Sequence, residues 1–266
     1  MSIRKFLPAL AKYAALILLL LIWMFPIVLA LYKSVSVGGV ANYGRVLGHD
    51  TFNYWQAIGN SAILASISTV VIVIIASLGG YAFSKMEFKG RKVLYSALMA
   101  CLAVSIASVV TPVFFVFNSL NLRDTYTGVI IPMIAFNAIM MLMIMKTHFD
   151  GLPNEIIEAG LLDGATPFAI FRQILMPLSG PSVAMISVLS FVFTWNEYLL
   201  PQLLMKSSEK FPVTKAISLL QFDRMSQQDI SVLYAGLILM TVPTLIIYLF
   251  SQKFLQSGMT SGAVKS

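Results

Sequence analysis

Six runs of mainly apolar residues divide this 266-residue chain, at 13–32, 58–83, 93–117, 128–145, 180–204 and 233–254, with nearly all charge left to the connections. A helix needs about 20 such residues to cross roughly 30 Å of hydrocarbon. The runs are continuous rather than alternating, so they read as helices and not as barrel strands. Only 11% of the residues are charged, against about 25% in an average soluble domain, too few to cover a water-facing surface. The expected fold class is therefore all-α: a polytopic membrane protein with six transmembrane helices.

The first run follows Arg4, Lys5 and Lys12, as in a signal peptide, and Val28-Leu29-Ala30 near its end is a passable cleavage site. Its core of about 20 residues is longer than the usual apolar region of a signal peptide, which favours an uncleaved anchor. Lys and Arg accumulate in cytoplasmic loops. The dense short stretch Lys85, Lys89, Arg91 and Lys92 therefore places both termini inside. The net charge of +7 then reports orientation, and nucleic acid is not needed to explain it. Cys101 is the single cysteine, and His49 and His148 are the two histidines, so neither an internal disulfide nor a His-rich metal site is expected.

Residues 149–178 are too organised for a simple connection. Pro153 or Asn154 can start a helix with Glu155 and Glu158 in its first turns, where the dipole favours negative charge, and Gly164 can end it. Thr166 can cap a second helix that begins at Pro167, with Pro177 after its last turn. The pair forms a helical hairpin on the cytoplasmic side, with apolar faces that include Ile157, Leu161, Phe168, Phe171 and Leu175.

Glu158-Ala159-Gly160, then Gly164, then Ile174-Leu175-Met176-Pro177 at the proper spacing resembles the EAA signature of ABC-importer permeases. Gly160 stands where the signature has Ala, and Met176 where it has Leu. Residues 195–201, Trp-Asn-Glu-Tyr-Leu-Leu-Pro, and the tail 258–265 are similar to permeases of carbohydrate importers, most of all the smaller permease subunit of maltose-type systems. The likeness runs from the first span to the tail. It implies one ABC transporter type-1 permease domain over 1–266 in a bacterial cytoplasmic membrane. It also implies a second homologous permease, two ATPase subunits that bind ATP and Mg, an extracytoplasmic solute-binding protein, and a sugar or oligosaccharide as substrate. Glu158, Ala159, Gly160, Asp163 and Gly164 become the ATPase-coupling residues, the glycines allowing close approach and Glu158 pairing with a basic residue. Asp163 is either a second contact or a solvated helix end. The tail in such permeases reaches toward the ATPases.

The chain itself carries no nucleotide site. Residues 39–46 are the nearest approach to a phosphate-cradling loop, and they end Gly44-Arg45-Val46 without the lysine or the hydroxyl. No cofactor, metal or bond chemistry is expected in this chain.

In the fifth run, Ser187, Ser190, Thr194 and Glu197 recur at steps of three, four and three and so share one helix face. With Trp195 and Asn196 beside them, they form either a sugar path or an outer gate held by Asn196 and Glu197, the hydroxyls packing helices. Ser61, Ser68 and Gly79-Gly80 read as small residues for close packing, and Asn137 as a lone amide. The charged outer segment 206–231 reads as a binding-protein contact or a solvated loop. Rival readings are an importer of polyols, glycerol phosphates or polyamines, and a secondary carrier, which would need mid-membrane coupling charges.

Overall fold

The computed structural model describes the backbone of residues 3–221 and 225–263 and the side chains of 12–221 and 225–252. Among the described residues the chain is helical, with no strand. Among the described residues four helices are long and apolar enough to cross a membrane: Lys12–Ser36, Tyr54–Lys85, Tyr126–Asp150 and Gln227–Gln252. Two bent helix pairs raise the number to six if each is one span. The chain divides into two compact units, Met1–Tyr54 with Ile217–Val242, and Trp55–Ala216 with Pro243–Ser266.

In the first unit, α1 (Ile3–Ser36) is joined to α2 (Ala41–Leu47) by Gly38 and Gly39, both left-handed at φ 85° and 61°. Asn42 is buried there and donates to the Ser34 and Val37 carbonyls at 2.8 and 2.7 Å. Its Oδ1 accepts from Gln228 Nε2 at 2.6 Å. A Cβ on Gly38 would lie 2.6 Å from that Nε2, the end of a flexible side chain that could shift, so it is the positive φ that calls for glycine.

The second unit is built on α3 (Tyr54–Lys85) and α6 (Tyr126–Asp150). Ile72, Ala76 and Tyr81 of α3 bury against Ala138, Met141, Leu142, Met145 and Phe149 of α6, together with Ile170, Phe171, Leu175 and Ile186. Gly79 and Gly80 set the approach of the two helices. A Cβ on Gly80 would meet Met145 Cβ at 2.8 Å and Lys146 N at 2.9 Å. Proline lies inside α5 (Ile106–Ser119), α6 and α13 (Gln227–Ala263). The sequence of α3 has none.

Several expectations change. The run 93–117 is not one straight helix: α4 (Arg91–Cys101) and α5 meet at 98°. The amides of Leu102, Ala103 and Val104 bond three residues back, each at 3.1 Å, which tightens the turn until Ser105 becomes extended at ψ 139° and opens α5. The run 180–204 divides into α10 (Gly180–Trp195) and α11 (Leu199–Leu204). The last helix, α13, runs through Ala263, so the tail is helical that far, and Lys265 lies outside the described residues.

The hairpin forms as α7 (Glu155–Leu162) followed by α8 (Pro167–Ile170), a π turn (Phe171–Leu175) and α9 (Met176–Leu178), which then bends by 82° into α10. Thr166 Oγ1 caps α8 through Ala169 N at 3.2 Å. Pro177 falls inside this helical run rather than after it. The preceding π turn accommodates a residue that cannot donate a backbone bond.

Candidate functional site

The tip of the hairpin closes by a Schellman arrangement. Gly164, at φ 80°, donates to Leu161 O, and Ala165 donates to Gly160 O, both at 3.0 Å. Gly160 is buried, and a Cβ there would sit 3.2 Å from both Ile170 and Ile174. Its close approach is thus made inside the hairpin, between α7 and the helix that follows. Glu155, Glu158, Ala159 and Asp163 are exposed, and with them Leu161, Phe168 and Leu162, the last at 89% exposure. The hairpin thus exposes acidic and large apolar side chains together, the composition of a docking face.

The base of the hairpin is held to α3. Lys85 Nζ donates to Leu152 O at 2.7 Å and Asn154 Oδ1 at 2.6 Å, and Ser84 Oγ donates to Asp150 Oδ1 at 2.7 Å. One turn earlier Tyr81 OH donates to Pro167 O at 3.1 Å, with its ring 5.4 Å from Phe171 and 6.3 Å from Phe149.

The polar stripe of α10 divides. Ser190, Thr194 and Trp195 are buried, and Ser190 Oγ, Thr194 Oγ1 and Trp195 Nε1 have no hydrogen-bond partner among the described residues. Ser187 Oγ is used on Val183 O at 2.7 Å. Asn196 and Glu197 turn the other way and line an open cleft of ≈540 Å³ with Asn137, Val192 and Phe193. Asn137, a lone amide in sequence, belongs to this group only because α6 packs beside α10. Glu197 Oε1 accepts from Leu200 N at 3.1 Å and so caps the start of α11, while the Glu197 carbonyl accepts from Thr214 Oγ1 at 2.9 Å.

The segment after α11 is not a solvated loop. Phe211, Val213, Thr214, Lys215, Ala216, Ile217 and Leu220 are buried, the helix α12 (Val213–Ser218) among them. Asn60 at the start of α3 donates to Glu209 O at 2.8 Å and Phe211 O at 3.1 Å, and accepts from Tyr126 OH at 2.8 Å. Val213 N donates to Ser61 Oγ at 2.8 Å. Lys215 Nζ reaches the carbonyls that end α11, Pro201 at 3.3 Å, Gln202 at 3.2 Å and Met205 at 2.5 Å, where the helix dipole favours a cation. Burial pulls its ammonium below the ordinary lysine value, against the charge of Asp124. Asp223 and Arg224, expected in this segment, lie outside the described residues.

Asp124, left-handed at φ 55°, locks the connection before α6 to this segment. Its carboxylate accepts from Lys206 N at 2.9 Å, Ser207 N at 3.0 Å, Ser207 Oγ at 2.5 Å and Lys210 Nζ at 3.3 Å. Burial raises its pKa, but the bonds from Ser207, Lys206 and Lys210 outweigh burial and hold the carboxyl far below its usual range. A depressed folded value adds stability above the unfolded pKa of about 3.9, and that stability is lost as pH falls through the folded value. In detergent the thermal midpoint should be insensitive to this group down to about pH 5 and fall below about pH 4. Asp124→Asn should lower the midpoint at pH 7 and flatten that acid limb. An unchanged acid limb in the variant would remove Asp124 from the account.

Helices of membrane length, an uncovered hairpin face and an open cleft beside α6 and α10 describe a polytopic membrane protein. The chain belongs to the family of binding-protein-dependent transport system inner membrane components, whose model matches residues 82–261. Among its relatives, the trehalose transport system permease protein SugB of Mycobacterium tuberculosis is 30% identical over 257 residues, 93% of this chain and 92% of that protein. The arabinooligosaccharides transport system permease protein AraQ of Halalkalibacterium halodurans is 32% identical over 212 residues, 80% of this chain and 75% of the relative. A crystal structure of a bacterial ABC transporter involved in the import of the acidic polysaccharide alginate shares the fold. One of its chains superposes with a TM-score of 0.76 at 23% identity, covering 95% of this chain and 98% of that one.

Proposed function

We propose that this chain is one transmembrane half of an ABC importer for a sugar or oligosaccharide, working by alternating access. With α4 and α5 together as one span and α10 as another, the chain makes six spans in a single type-1 permease domain over 1–266, with both termini in the cytoplasm. Relatives named for trehalose and arabinooligosaccharides support the substrate class. A second permease completes the pathway, an extracytoplasmic binding protein delivers the substrate, and two partner ATPases hold ATP and Mg. The chain performs no bond chemistry.

The observation that carries this reading is the hairpin face: Glu155, Glu158 and Asp163 with exposed Leu161, Leu162 and Phe168. An apolar cluster of this kind needs a cover, and the acidic side chains suit a basic cleft on an ATPase. Gly160 and Gly164 then shape the hairpin from within, and Glu158 with Ala159 and Asp163 meets the partner. At the cleft, Asn137, Asn196 and Glu197 offer acceptors to sugar hydroxyls. The unpaired hydroxyls of Ser190 and Thr194 fit a helix that reseats between two conformations.

The test is Glu158→Lys in the reconstituted complex with binding protein, ATPases and partner permease. Loss of a charge pair and its replacement by like charge should lower substrate-stimulated ATP hydrolysis by about tenfold, or ~1.4 kcal/mol. Stimulation equal to the parent complex would refute the coupling role.

A further inference from the structure

We infer that α3 is a rigid link between the hairpin and the cleft, beside the direct continuation of the hairpin into α10, with Tyr81 and Lys85 at one end and Asn60 and Ser61 at the other as its positioning residues. This rests on the coupling role proposed for the hairpin and extends it to a route.

The two ends of α3 are fastened in the same way. Near the hairpin, Lys85 holds the approach to α7 through Leu152 O and Asn154 Oδ1, and Tyr81 holds the start of α8 through Pro167 O. Both hairpin helices are thus tied to successive turns of one helix. Toward the other end, Asn60 holds Glu209 O and Phe211 O, and Ser61 accepts from Val213 N. The two sets of bonds are separated by roughly 30 Å along the axis at 1.5 Å per residue.

Between them nothing invites bending. The sequence of α3 lacks proline, whereas α5, α6 and α13 each carry one inside. The Gly79-Gly80 pair, a place where a helix could yield, is pressed on α6 at Leu142 and Met145. Displacement at the hairpin therefore passes along α3 as a rigid-body movement rather than being absorbed in a kink.

The chain of bonds continues from the far end. Val213 is the first residue of α12, whose next residue, Thr214, donates to the Glu197 carbonyl at 2.9 Å. Lys215 holds the last carbonyls of α11. Asn196 and Glu197 line the cleft. Each element from hairpin to cleft is thus joined to the next by a named polar contact, and α3 is the only long member of the series.

Two reporters in the reconstituted complex distinguish this route from the coupling role itself. In a Cys101→Ser background, a spin label at Gln173→Cys reads the hairpin and one at Glu209→Cys reads the far segment; both side chains are exposed. In the parent complex both labels should respond to ATP and binding protein. With Tyr81→Phe and Lys85→Met together, the hairpin label should keep its response and the Glu209 label should lose about fivefold or more of its amplitude. Lys85→Arg should restore part of the response. Tyr81→Phe alone deletes one hydroxyl while the ring stays between Phe149 and Phe171, so it carries the test if the double variant fails to assemble. A full response at Glu209 in the cut variants would overturn the role of α3. Silence of both labels in the parent complex would instead overturn the coupling reading, and this inference with it.

Discussion

Gly80→Ala is expected to prevent stable accumulation of the chain in the membrane, while Gly79→Ala is expected to be tolerated with a modest loss. A methyl group at either position enters occupied space, but the occupants differ. At Gly80 it would meet Met145 Cβ at 2.8 Å, Lys146 N at 2.9 Å and Met145 C at 3.0 Å, so the backbone of α6 would have to move. At Gly79 the nearest atoms are Leu142 Cδ1 at 2.5 Å and Cγ at 3.2 Å, which a rotamer change can withdraw. Overpacking costs roughly 1 to 3 kcal/mol when side chains can adjust, and more when they cannot. Small residues drive helix association in lipid because they let backbones approach. Forcing α3 from α6 would also open the shared core of Ile72, Ala76, Met141 and Met145. The yield of monodisperse protein in detergent and its thermal midpoint are the measurements, and equal behaviour of the two variants would contradict the packing account.

Lys215→Met is expected to loosen the segment after α11 and to lower stability more than any exposed lysine substitution. The Lys215 side chain lies in a place that sequence would assign to solvent, yet it is only 6% exposed. Three carbonyls at the end of α11 turn toward its ammonium, and its Nζ sits 4.3 Å from the centre of the Phe211 ring. Methionine fills similar volume but leaves those carbonyls facing an apolar group. Hydrogen bonds to a charged group contribute roughly 1.5 to 3 kcal/mol, and their loss leaves desolvated acceptors behind. Limited proteolysis across 205–218 should show new cleavage, with a lower thermal midpoint. Lys206→Met is the control: its side chain is exposed and its bond to Asp124 is made by the backbone amide, so stability should change by no more than about 0.5 kcal/mol. If both substitutions had the same effect, Lys215 would be no more than a surface charge.

The long spans were legible because their signal is composition over many residues. The runs at 58–83 and 128–145 fall within α3 and α6, and 233–254 falls within α13. The hairpin was legible from its end signals: Gly164 does adopt a left-handed φ of 80°, and Thr166 does cap α8. What escaped depends on partners distant in sequence. The 98° bend between α4 and α5 has no Gly or Pro at residues 102–105 to announce it. The segment 206–231 looks solvated because it is charged, and only the carbonyls of α11 explain how Lys215 can be inside. Asn60 and Tyr81 stand near the ends of an apolar run with no motif around them. Their roles come from backbone carbonyls at residues 209, 211 and 167, which carry no side-chain signature. Glu197 was visible as a polar group, but its cap on Leu200 requires the break that ends α10.

That break and the bend at Ser179 make α10 short. Its 16 residues extend only about 24 Å, less than the roughly 30 Å of hydrocarbon in a typical bilayer. A span with negative mismatch ordinarily thins the surrounding lipid or draws water to its ends. Here each end has polar company from its own chain. Ser179 Oγ bonds Leu175 O at 2.7 Å and the His148 ring at 3.0 Å, and Thr214 bonds the Glu197 carbonyl at 2.9 Å. Interrupted backbone can sit at membrane depth when protein rather than lipid supplies its partners. Under the proposed six-span reading, the shortfall of α10 is made up inside the protein, and the bilayer around it need not deform.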